Sequence, residues 1–169
     1  KAALDEGLHG YTRSQGTEEI CQAVANYLTK YDLDVDHNDV LVSPGCKQAL
    51  LYAMMSCLNP GDEVLLFAPA WPSYDGMLKL IGAVPVHVPV KRENYHPDMD
   101  ATRAAITSKT KAIIINSPNN PTGAVYLPSE IEELTKIAAE NDLWIFDDMI
   151  YSDLVYSEHS YVSPASLEA

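Results

Sequence analysis

Four short stretches of this 169-residue chain carry side chains that could do chemistry together. Gly45-Cys46-Lys47 stands where an apolar run gives way to a helical pattern. The first N–H groups of a helix lack internal partners and lie at the positive end of its dipole, so a helix start opened by glycine can hold a phosphate. Trp71, between Pro69 and Pro72, is a rigid aromatic able to lie against a flat ligand. NSPNNPTG, residues 116–123, follows the apolar run Ala112-Ile113-Ile114-Ile115 and offers amide donors. Asp147 and Asp148 follow Leu143-Trp144-Ile145-Phe146, and a carboxylate at the end of a buried strand needs a cationic or hydrogen-bonding partner. Taken singly, each has a plainer use: glycine at a turn, tryptophan in a core or interface, aspartate as a helix cap, and Asn, Pro and Gly as turn residues.

The elements that must position these groups alternate between strand and helix, the pattern of a parallel sheet with helical crossovers. A helix is predicted over residues 17–31, capped by Thr17, with Ile20, Val24, Tyr27, Leu28 and Tyr31 on one face. A first strand is predicted at residues 40–43, followed by PGCKQALLYAMMSCL, a helix apolar nearly all round and so expected to be buried. Further strands are predicted at 63–67, 84–90, 111–115 and 143–146. Between them lie a helix ending at Gly82, which suits a left-handed cap, a short helix ending near Ile106, and a helix with a Ser129/Glu132 capping box that buries Ile131, Leu134, Ile137 and Ala138. The fold class is therefore α/β, a three-layer αβα arrangement with a mainly parallel sheet and helices on both faces. In such a sheet the exits of the strands share one edge, where ligands of open α/β folds bind, so the four stretches should meet. A phosphate seat, an aromatic slab, an amide donor and a carboxylate suit a flat, phosphorylated heteroaromatic whose ring nitrogen stays protonated. Pyridoxal 5'-phosphate matches that description.

Composition removes several other functions. A net charge of -13 repels phosphate backbones and anionic membrane surfaces, so neither nucleic acid nor membrane is an expected partner. No apolar stretch approaches the length of a membrane span, and the first residues show no basic-then-apolar leader; the expected location is the cytoplasm. Cys21, Cys46 and Cys57 show no CxxC spacing, and the 5 histidines show no pair at helical ligand spacing, so no disulfide framework and no metal site is expected. No G-x-G-x-x-G follows any predicted strand, against a dinucleotide binder.

The series YTRSQG, GCKQAL, NPGDEV, PAWPSY, NSPNNPTGAVY and DDMIYSDLVY, in that order across residues 10–156, resembles the large domain of fold-type I, pyridoxal-phosphate-dependent aminotransferases of the aspartate aminotransferase superfamily. The resemblance implies residues 1–15 as a segment leading into the domain and 16–169 as a partial cofactor-binding large domain. It implies that Gly45, Cys46 and Lys47 contact the cofactor phosphate, that Trp71 stacks on the pyridine ring, and that Asn120 and Tyr151 donate to the 3'-oxygen. Asp148, three residues before Tyr151, would pair with the pyridinium nitrogen, and Tyr11 would reach the phosphate of a neighbouring subunit's cofactor in a homodimer. GCKQAL is similar to the pattern of bacterial enzymes that prefer dicarboxylic amino acids, which makes Lys47, beside Asn120, a candidate substrate contact. The implied reaction moves an amino group between an amino acid, such as aspartate, and a 2-oxo acid.

Two departures from the family's pattern qualify this. Met149 replaces the usual glutamate of Asp-Glu-Ile-Tyr. The family's Schiff-base lysine lies a few tens of residues beyond the position of Tyr151, and none of the lysines present sits in a matching context, so the chain is expected to be a fragment that does not turn over alone. Two alternatives share the same site: a C–S lyase or other fold-type I enzyme, because the protein chooses which bond at Cα meets the ring, and a regulatory sensor domain built on the same scaffold.

Overall fold

A computed structural model of the chain describes residues 1–156 and 159–167. It divides into two compact units, Lys1–Gly45 and Cys46–Ala169.

The first unit holds α1 (Ala2–Asp5), α2 (Glu18–Leu28) and two 3-10 turns, Thr29–Tyr31 and His37–Asp39. Thr17 is the N-cap residue of α2, as predicted, but the helix turns 3-10 after Leu28 and is closed by Asp32 at φ 58°. Its buried side differs from the expected one. Cys21 and Ala25, four residues apart, pack with Val40, Val24 and Val35, whereas Ile20 and Tyr27 are exposed. Small side chains let the neighbouring backbone come close, and a hydrophobicity pattern weights the large ones instead. Residues 40–43 form no strand. The Val42 N–H is bound by the Gln15 carbonyl at 2.8 Å, and Leu41 and Val42 are exposed. Their composition suits a strand, but a strand exists only as one half of a ladder.

The second unit is the α/β body. It runs α3 (Cys46–Cys57), β1 (Glu63–Ala68), α4 (Ser73–Leu80), β2 (Val84–Pro89), α5 (Met99–Ala105), β3 (Thr110–Asn116), α6 (Pro128–Glu140), β4 (Trp144–Asp148) and a 3-10 turn at Pro164–Ser166. The four strands stand in the order β2-β1-β3-β4, every pair parallel. Alternation along the strands splits the core into two layers. Val64, Leu66, Ala112, Ile114 and Phe146 pack against Leu50 and Met54 of α3 and Tyr74, Met77 and Leu78 of α4. Leu65, Phe67, Ile113 and Ile115 pack against Ile131, Leu134, Ile137 and Ala138 of α6, with Met99 and Ala101 of α5 alongside. Helices thus cover both faces, as the sequence predicts.

Two local expectations change and one holds. The α3 helix is only half buried: Leu50 and Met54 are inside, while Tyr52 and Met55 are exposed, the latter to 60%. The N-cap of α6 is Leu127, two residues before the predicted cap Ser129. Pro128 takes the first position, where a missing N–H does no harm, and Glu130 accepts the Leu127 N–H at 2.9 Å in place of the Ser129/Glu132 box. Gly82 does close the turn after α4, at φ +80° with its carbonyl accepting the Gly61 N–H.

Candidate active site

The strand order reverses between β1 and β3: the chain steps from β1 out to β2, returns across β1 to β3, and continues to β4. Such a reversal opens a crevice at the carboxyl ends of the strands flanking it. The exits of β1, β3 and β4 carry Trp71, the 116–123 loop and Asp148 to that edge.

Asp148 is the centre of the arrangement and is 4% exposed. Its Oδ2 accepts the Tyr74 hydroxyl of α4 at 2.6 Å, and its Oδ1 accepts the Cys46 thiol of α3 at 3.5 Å and the Ile150 N–H at 3.4 Å. Both side-chain donors are neutral and are kept so. Burial first, then the Asp148 charge and hydrogen bond, push the Cys46 thiol up to about 11. Burial and the same carboxylate hold the Tyr74 hydroxyl far above the ordinary phenol range. Among the described residues no lysine, arginine or histidine pairs with Asp148.

The loop after β3 is built from its own polar groups. Asn116 lies opposite Asp148 in the ladder; its Nδ2 donates to the Asp148 carbonyl at 2.9 Å, and its Oδ1 accepts the Asn120 N–H at 2.8 Å. Asn119 Oδ1 accepts the Thr122 N–H and hydroxyl, and Ser117 Oγ accepts the Tyr126 N–H at 2.9 Å. Asn116 and Asn119 are thus spent on holding the turn. The Asn120 side chain makes no hydrogen bond among the described residues and, with Tyr151, Asn119, Gly123, Leu154 and Tyr156, lines a hollow of about 300 Å³.

The Trp71 indole meets the Tyr74 ring edge-on, centroids 5.3 Å apart at 90°, and the Lys47 ammonium sits 4.9 Å from a Trp71 ring centroid, within cation–π range. Cys46 and Lys47 open α3, a 12-residue helix, with their main-chain N–H groups in its first turn. In the first unit, Gly45 takes φ +95° and Tyr11 is fully exposed. The second unit therefore brings together Cys46, Lys47, Trp71, Asn120, Asp148 and Tyr151.

Comparison with known proteins decides the family. The class I and II aminotransferase model matches residues 1–169. The chain belongs to that family. It is 39% identical over 166 residues to a probable aspartate/prephenate aminotransferase of Aquifex aeolicus, covering 97% of this chain and 42% of that protein. It superposes on the aspartate aminotransferase of Thermus thermophilus solved with maleate at a TM-score of 0.92 and 39% identity, covering 98% of this chain and 44% of the other. The aromatic aminotransferase of Pyrococcus horikoshii gives 0.94 at 36% identity, covering 99% and 46%. The chain thus spans less than half the length of the relatives it matches.

Two contributors to this candidate site lie outside the sequence expectations. Tyr74 sits in an apolar helix and reads as core, and only the fold shows that its hydroxyl reaches a carboxylate 74 positions away. Asn116 reads as the first residue of a turn. Its position directly after an apolar strand, where a buried amide must find partners, was the available signal.

Proposed function

We propose that the intact protein is a pyridoxal-phosphate-dependent aminotransferase and that this chain supplies the part of it that holds the cofactor ring. One observation carries the reading: Asp148 is a buried carboxylate at the switch-point crevice, bound by neutral donors and, among the described residues, by no cation. Burying a carboxylate unpaired costs several kcal/mol, so the position suits a cationic ligand atom such as a protonated ring nitrogen. The remaining groups fit the same ligand. Trp71 covers a ring face, Asn120 and Tyr151 donate to the 3'-oxygen from the hollow they line, and the α3 N-terminus, with Gly45, Cys46 and Lys47, takes the phosphate.

When bound, pyridoxal 5'-phosphate supplies an electron sink for the charge left at Cα as the substrate's α-proton departs. Asp148 serves it by keeping a proton on the ring nitrogen. The Asn120 and Tyr151 donors stabilise negative charge at the 3'-oxygen. Tyr11 reaches the phosphate of a second subunit, which makes the working form a homodimer, and the three free thiols agree with a cytoplasmic location.

The favoured substrates are an acidic amino acid and a 2-oxo acid, with Lys47 meeting the distal carboxylate. The binding of maleate, a dicarboxylate, by the Thermus relative supports this. In the full-length enzyme Lys47→Ala should lose more kcat/KM with aspartate than with an aromatic amino acid; equal losses would remove Lys47 from substrate choice. The reaction itself is tested by product analysis: amino transfer leaves a 2-oxo acid and the aminated cofactor, whereas a lyase releases ammonia and pyruvate. Steady amino transfer by the 169-residue chain alone would refute the assignment of the cofactor-anchoring lysine to a segment outside it.

A further inference from the structure

Cys46 stands at the start of α3, where its main-chain N–H is one of the unpaired donors of the first turn. Its side chain is not needed for that role and points elsewhere: the thiol donates to Asp148 Oδ1 at 3.5 Å. The opposite oxygen takes Tyr74 from α4 at 2.6 Å. We propose that Cys46 is a positioning residue for Asp148, forming with Tyr74 a two-sided clamp of neutral donors, one from α3 and one from α4, that fixes the plane of the carboxylate while leaving its charge free for a cationic ligand. This rests on the reading of Asp148 as the partner of a protonated ring nitrogen, since a fixed plane matters only where an atom must meet the carboxylate at a set angle.

The residue type suits the task. A single bond to Tyr74 would leave the carboxylate free to swing about its Cβ–Cγ bond, and the Ile150 N–H on Oδ1 is long at 3.4 Å. A second side-chain donor on Oδ1 removes that freedom. A lysine or arginine in its place would also hold the oxygen, but it would neutralise the charge and compete with the ligand's cation. A thiolate would repel the carboxylate. Burial and Asp148 keep the thiol protonated, up to about 11, so across the neutral range it remains a donor. An ionised carboxylate has about four lone-pair positions, and three donors still leave room for a ligand atom.

The clamp is tested in the full-length protein freed of cofactor. Iodoacetamide reacts with the thiolate, so the rate at which Cys46 is alkylated at pH 8, followed by peptide-resolved mass spectrometry to separate it from Cys21 and Cys57, reports the contact. Asp148→Asn should speed alkylation of Cys46 roughly tenfold, the equivalent of about one pKa unit. An unchanged rate would overturn the clamp. The positioning role is then read by equilibrium binding of pyridoxal 5'-phosphate. Cys46→Ala should weaken it about fivefold to tenfold, and Cys46→Ser, which keeps a donor, should restore it to within about twofold. These are hydrogen-bond magnitudes of about 1 kcal/mol. Serine and alanine variants that bind alike would refute the role. Failure of the unaltered protein to bind the cofactor would sink the cofactor reading instead, whereas the alkylation rates judge the clamp independently of it.

Discussion

Tyr74→Phe isolates one hydroxyl and nothing else. The ring keeps its place in the core and its edge-on contact with Trp71, so no cavity term arises. What is lost is the shortest bond to Asp148: 2.6 Å, the length of a charge-assisted O–H···O⁻ bond, against 3.4 and 3.5 Å for the other two donors. Hydrogen bonds to charged groups contribute about 1.5–3 kcal/mol. Because the Cys46 thiol and the Ile150 N–H still serve the carboxylate once the hydroxyl is gone, the lower part of that range applies, about 2 kcal/mol. With a urea slope of about 2 kcal/mol/M, the unfolding midpoint of the cofactor-free protein falls by about 1 M. Repeating the change on an Asp148→Asn background gives the control, since a neutral amide makes a bond of only about 1 kcal/mol. The two hydroxyl effects should therefore differ by about 1 kcal/mol, the coupling a double-mutant cycle reports. Equal costs in both backgrounds would show that the hydroxyl is not engaged with the carboxylate, and the geometry argued for the site would fail with it.

Two further substitutions probe the scaffold. Gly82→Ala forces a side chain into φ +80° with its Cβ 3.0 Å from that of Pro60, so thermal unfolding should show a loss of about 1–2 kcal/mol; a neutral outcome would mean the turn is not held in the left-handed region. Asp147 makes the opposite case to Asp148: burial pushes its carboxyl up to about 6 although Tyr161 and Ser163 donate to Oδ2, and Oδ1 has no partner among the described residues. The folded state thus holds that proton more tightly than the unfolded chain, so this group favours folding below about pH 4 and loses that contribution as pH climbs through 6. Relative to Asp147→Asn, the wild type should become less stable by up to about 3 kcal/mol between pH 4 and 7, a scale set by about two pKa units; a pH-independent difference between the two would refute the shift.

The sequence made the second unit legible and the first one poorly so, for a physical reason. Strands 63–68 and 110–116 are apolar on both faces, as a parallel sheet covered by helices requires. Residues 40–43 look the same locally yet form no strand, because ladder formation depends on a partner that composition does not reveal. In α2 the periodicity singled out large residues, while the chain packs through Cys21 and Ala25. At α6, Pro128 announced the first helical position as clearly as Ser129 and Glu132 announced a box, and the proline prevailed because it fixes φ outright. The site groups were legible as types, since Trp, Asn and Asp at strand exits are costly without a reason. Tyr74 was not, because a buried tyrosine in an amphipathic helix declares its ring and conceals its hydroxyl.

The contrast between the two neighbouring aspartates shows how a strand converts adjacent residues into different chemistry. Successive side chains of β4 point to opposite faces of the sheet. Phe146 and Asp148 turn toward α3 and α4, where Cys46 and Tyr74 wait, while Ile145 and Asp147 turn toward α6 and the Pro164–Ser166 turn. Asp148 therefore has a side-chain donor on each oxygen, whereas Asp147 has both its side-chain donors on one oxygen and is driven toward neutrality. A one-residue slip of β4 against β3 would exchange their environments and also break the Asn116 bond to the Asp148 carbonyl, which sits at the matching rung of the ladder. The register that keeps the core apolar is thus the same register that delivers Asp148, and not Asp147, to the crevice.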